Sequence, residues 1–140
     1  MLFRSVFQRM GHLLGNSDYL AAAERTLRTA WPVLEKYPQA HMSLLTALEE
    51  LLNPPETIIL RGEAAAIESW RHDLAKLYAP RRVVIAVANG ASDLPPALEE
   101  KSVRGDAVAY VCKGSVCSAP LESFTVLAAH LRQEASHRSS

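Results

Sequence analysis

Apolar positions in the first third of the chain recur at helical spacing. Val6, Phe7, Met10, Leu13 and Leu14 share one stripe, and Gly15 follows as a C-terminal stop. Asn16 and Ser17 offer the side-chain oxygen that a second helix needs for its unpaired amides, and Tyr19, Leu20, Ala23, Leu27, Ala30 and Trp31 carry the period on. Pro38 fits the first position of a third helix, where its missing N–H costs nothing. Met42, Leu45, Leu48, Leu51 and Leu52 read as its inward face, and Pro54-Pro55 ends it. After Asn53 the period changes. Thr57 to Leu60 and Val83 to Ala88 are short, β-branched, continuously apolar runs of the kind found in strands covered on both faces. Between them Ile67, Trp70, Leu74 and Leu77 fall on one side of a helix, so the segment reads as a βαβ unit with parallel strands. Residues 89–106 carry turn signals and about one helical turn at Ala97 to Lys101. Ala107 to Cys112 and Val116 to Ala119 then read as strands around Gly114-Ser115, a two-residue hairpin loop with glycine first. A last helix faces Phe124, Leu127, Ala128 and Leu131 inward.

The predicted fold class is α/β. Residues 1–53 form about three helices, residues 54–135 form a β-α-β-(α)-β-β-α unit with a mixed four-stranded, thioredoxin-like sheet, and residues 136–140 form a disordered polar tail. The 140 residues are 49% apolar with a formal charge of zero, which excludes a disordered chain. Six Lys/Arg and eight Asp/Glu in the first 70 residues, against nine and seven in the last 70, leave no basic footprint for nucleic acid. No apolar stretch reaches the roughly 18 residues of a membrane span, and no secretory leader precedes the first helix, so a cytoplasmic protein without membrane association is expected.

Candidate chemistry centres on Cys112 and Cys117. A two-residue loop makes Lys113 and Val116 the closing hydrogen-bonded pair and sets Cys112 opposite Cys117 at the next, non-hydrogen-bonded position, with both side chains on one face. Three readings are open: two buried thiols in a reducing cytosol, a redox-responsive pair, or two ligands of a metal. A disulfide here closes a very short loop and adds little stability. No histidine completes a metal set: His12 and His72 read as helix-surface residues, His41 as a satisfied imidazole at the third helix, and none stands at HExxH spacing. Gly62 lies between a strand and a helix, but no phosphate-binding glycine pattern surrounds it and Glu63 puts a carboxylate where an anion would sit. Glu49-Glu50 and Glu99-Glu100 point in different directions on a helix and read as solvated, Ser115 has no base nearby, and Arg71, Lys76, Arg81 and Arg82 read as a solvent face. No cofactor and no metal site is expected.

Certain segments carry a resemblance. Tyr37-Pro38 before the Leu-rich helix, Pro54-Pro55-Glu56-Thr57-Ile58-Ile59-Leu60-Arg61-Gly62, and above all the run from Ala109-Tyr110-Val111-Cys112 through Cys117-Ser118-Ala119-Pro120 are similar to the C-terminal region of the YyaL/spermatogenesis-associated family of thioredoxin-domain-containing proteins. The resemblance covers the chain from about Val6 onward. It implies that Ser17 to Trp31 and Pro38 to Asn53 correspond to the last helices of a six-hairpin glycosidase-like α/α barrel, followed by a small α/β region. It carries over no catalytic residue, because the thioredoxin-like domain and most of the barrel have no counterpart here; only Cys112, Cys117 and Pro120 match a distinctive motif. The chain then reads as a separately encoded C-terminal piece or a truncated product. Barrel helices without neighbours leave Phe3, Phe7, Leu13, Leu14 and Trp31 unpartnered, so a homodimer through the N-terminal helices is expected, or binding to a larger family member. The function expected is a non-catalytic structural or interaction module, with a thiol-redox module using Cys112 and Cys117 as the alternative.

Overall fold

The computed structural model describes the backbone of residues 3–137 and the side chains of residues 8–136. Val6, Phe3 and Phe7, on which part of the first apolar stripe rests, lie outside the described side chains, as do residues 138–140 of the expected tail. The chain forms two compact units. A helical unit runs through Pro55 and takes in Pro95–Leu98, and a sheet unit holds Glu56–Leu94 and continues from Glu99.

The helical unit contains α1 (Phe3–Leu14), α2 (Ser17–Lys36) and α3 (Met42–Leu52). Asn16 caps α2, its Oδ1 accepting from the amides of Asp18 at 2.9 Å and Tyr19 at 3.4 Å. Leu27, Leu34, Leu44 and Ala47 form the core, with Ala30, Leu45, Leu48 and Leu51 packed against it. Two expectations need correction. Pro38 opens only a 3₁₀ turn, Pro38–Ala40, and α3 starts at Met42. The inward face of α3 is Leu44, Ala47 and Glu50, while Met42 and Leu52 are exposed. Leucines on nearly every side of this helix make its phase ambiguous, and Glu50 is drawn inward by Arg9 of α1.

The sheet unit contains β1 (Glu56–Gly62), α4 (Ala64–Ala75), β2 (Arg82–Ala88), β3 (Ala107–Lys113), β4 (Val116–Cys117) and α6 (Phe124–His137); the short α5 (Pro96–Glu99) precedes β3. Strand order is β2-β1-β3-β4, with β1 parallel to β2, and β3 antiparallel to both β1 and β4. This is the mixed four-stranded sheet expected from the sequence. One face carries Ile58, Leu60, Ala109 and Val111, which pack with Ile67 and Leu74 of α4 and Leu127 and Leu131 of α6. Trp70 meets Phe124 edge to face, ring centroids 5.9 Å apart, joining the two helices. Gly62 ends β1 at a φ of +149°, and a Cβ there would stand 2.2 Å from the carbonyl oxygen of Asp106, so the start of β3 crosses where only glycine leaves room. Helix α6 continues through Ser136 and His137, which the sequence reading assigns to a disordered tail; the helix runs on past Leu131, its last buried apolar residue.

Candidate functional site: a disulfide-closed hairpin

Gly114-Ser115 connects β3 to β4. Gly114 has φ +61°, and Ser115 keeps the ordinary negative sign, the combination required by the expected type II′ turn. The closing pair is Lys113 opposite Val116, and Cys112 stands opposite Cys117. Strand alternation then sends both thiols to one face, where the two sulfurs are bonded at 2.07 Å with Cα atoms 4.0 Å apart. Two free buried thiols and a metal ligand pair are therefore replaced by a disulfide. Cys112 is 5% exposed and Cys117 is half-buried, so an approaching thiol meets Cys117 first.

The ladder beyond the bond is irregular for an identifiable reason. The Ser118 amide donates to the Val111 carbonyl at 2.8 Å, but the Val111 amide donates to the Ser118 Oγ at 3.1 Å instead of to a backbone carbonyl. Counting on from that pair, Pro120 would face Ala109 and would have to supply an N–H it lacks. Leu121 pairs with Ala109 instead, through two backbone hydrogen bonds of 2.9 Å. One extra residue is absorbed between Ser118 and Leu121, a bulge in effect, which is why β4 ends at Cys117 where the sequence pattern extended it to Ala119.

At the same end of the sheet, on the opposite face, Glu56 sits between Arg82 and Lys113 in register. The Arg82 Nε donates to the Glu56 carboxylate, and the two side chains are only 10% and 5% exposed. Arg82 thus departs from the solvent face expected for it. Its cluster mates Arg71 and Lys76 do lie on the surface of α4, where Arg71 binds Glu68 and Lys76 binds Asp73, holding both carboxyls below their usual range. Glu50 is a second correction: it is buried against Arg9 rather than solvated, and this carboxylate pushes the Arg9 pKa upward. His12 is the third. It is half-buried with its Nδ1 unpartnered, and burial lowers its pKa. His72 is exposed as expected, and His41 is half-buried at the N-terminus of α3. The Glu63 carboxylate accepts a 2.6 Å hydrogen bond from Asn89.

Among the described residues, no three His, Cys, Asp or Glu side chains are grouped as metal ligands, and no helix is long and apolar enough to cross a membrane. A groove of about 430 Å³ between α2 and α3 is lined by Leu27, Trp31, Leu48 and Leu51, with Glu24 and Arg28 at its rim. Sequence reasoning found Trp31 but missed the groove, because its other wall belongs to a helix whose phase was ambiguous.

Fold and site together define a small mixed α/β protein with a disulfide-closed hairpin at one end of its sheet. No protein-family model, curated protein or solved structure matches the chain.

Proposed function

We propose that the chain is a non-catalytic interaction module, the C-terminal end of a YyaL/spermatogenesis-associated type of protein, working in the cytoplasm and docking to a second copy through its helical unit. The observation that carries this reading is the groove between α2 and α3, where Trp31 remains 49% exposed beside a buried Leu27 and half-buried Leu48 and Leu51. An indole left half in water beside apolar walls, with a carboxylate and a guanidinium at the edge, has the composition of an interface centre and rim. Val33 and Tyr37 on the same stretch are also about half exposed. Light scattering at low micromolar concentration is expected to give twice the monomer mass, and Trp31→Glu to return it to the monomer mass while circular dichroism stays unchanged. A monomer at every concentration would sink the reading.

A second reading is favoured by the disulfide itself: a thiol-redox module in which an external thiolate attacks Cys117, Cys112 leaves as thiolate, and a second external thiol completes the reduction. Two electrons and two protons enter the pair, and the external thiols leave as a disulfide. Intact mass after equilibration in a glutathione buffer at cytosolic poise decides it. A mixed population of oxidised and reduced chain supports redox cycling, whereas a fully oxidised chain marks a structural staple.

A further inference from the structure

The outer side of β2 is the most unguarded feature of the sheet unit. Hydrogen bonding to β1 begins with the Glu56 amide on the Arg81 carbonyl at 3.1 Å and ends with the Asn89 amide on the Gly62 carbonyl at 2.8 Å. In a parallel ladder this phase assigns residues 81, 83, 85, 87 and 89 to β1 and turns the amides and carbonyls of Val84 and Ala86 outward. Within the sheet unit β1 and α4 are the elements that pack most against β2, β1 lies on its opposite side, and among the described residues no backbone hydrogen bond from outside the ladder reaches Val84 or Ala86. Edge strands are ordinarily kept from pairing by charge, proline, bulges or brevity. Strand β2 has none of these. It is seven residues long, regular in register, and apolar from Val83 to Ala88, and its one charged side chain, Arg82, is held inward by Glu56.

We infer that this edge pairs antiparallel with β2 of a second copy, joining two four-stranded sheets into one of eight strands. The occupant follows from the sequence of the edge. Antiparallel pairing about a two-fold axis at Ile85 makes Val84 and Ala86 of one copy the hydrogen-bonded partners of Ala86 and Val84 of the other. Both outward amides and both outward carbonyls are then satisfied. On one face Ile85 meets Ile85 and Val83 meets Val87, the β-branched cross-strand pairs that stabilise sheets. On the other face the larger Val84 faces the smaller, exposed Ala86. The same arrangement carries Arg81 toward the partner's Asn89, whereas a parallel arrangement would set Arg81 beside Arg81. The self-complementarity therefore selects one partner and one direction.

Amide hydrogen exchange on the full chain carrying Trp31→Glu tests this without interference from the helical groove, so that its failure leaves the proposed function standing. The amides of Val84 and Ala86 are expected to gain about tenfold protection as concentration rises from low to high micromolar, with the mass doubling in parallel. Those of Val83, Ile85 and Val87, bound to β1, stay protected throughout and report an intact sheet. Ala86→Pro removes one outward donor and nothing that faces β1; Ala86→Lys places a charge on the exposed edge. Either variant abolishes the gain. Exchange at Val84 and Ala86 that ignores concentration overturns the inference, as does a dimer that survives both variants.

Discussion

Arg9 and Glu50 are unequal partners: the arginine side chain is 53% exposed and the glutamate 7%. Removing the arginine leaves a carboxylate in the interior, while removing the carboxylate leaves a guanidinium that water can reach. Arg9→Ala is therefore expected to cost about 2–3 kcal/mol in urea denaturation, and Glu50→Gln less than half of that. Ser118→Ala should cost about 1–2 kcal/mol by the same measurement, since it strips the acceptor from the buried amide of Val111. Most of this was hidden at the level of sequence. A glutamate in an adjacent pair reads as solvated until the phase of its helix is known, and Ser118 gains its role only because Pro120, two positions on, disturbs the ladder. His12 titrates in the opposite sense from a salt-bridged histidine. Its folded pKa lies below the ordinary value of about 6.5, so the unfolded chain binds the proton more readily. Stability is fully present above about pH 6.5 and falls as the pH drops through 6.5 toward the lowered folded value; His12→Gln should flatten that fall in a series of melts from pH 7.5 to 5.5.

Among the elements, the hairpin was the most legible from sequence, because a two-residue loop with glycine first fixes turn type, register and cross-strand partners within six residues. The face that the thiols share follows from the same count. What spacing alone could not supply was the bond itself. Closing so short a loop removes little entropy from the unfolded chain, about 2 kcal/mol by the loop-length relation. The Cys112→Ser, Cys117→Ser double variant is thus expected to remain folded with a loss no larger than that, checked by calorimetry. Gly62→Ala should be far worse for a side chain of one carbon. The added methyl collides with the Asp106 carbonyl, and about 3 kcal/mol or more is expected in the same calorimetric comparison. Helix α3 was the least legible element. Five leucines in eleven residues satisfy several phases at once, and the choice among them is made by α1 and α2.

At the scale of the whole molecule, the change of hydrophobic period after Asn53 reveals where helices give way to the sheet, since that boundary is written in local spacing. The return of Pro95–Leu98 to the helical unit is written nowhere nearby, and a four-residue turn has too few positions to show a period. The strand order has a consequence for synthesis. Of the two strands with neighbours on both sides, β1 is also the first of the four to leave the ribosome, so every later strand is added outward from it or from one of its neighbours. A nascent chain extended only to Ala88 can already zip β1, α4 and β2 together. Its Ile58–Leu60 segment keeps one flank bare until β3 has emerged.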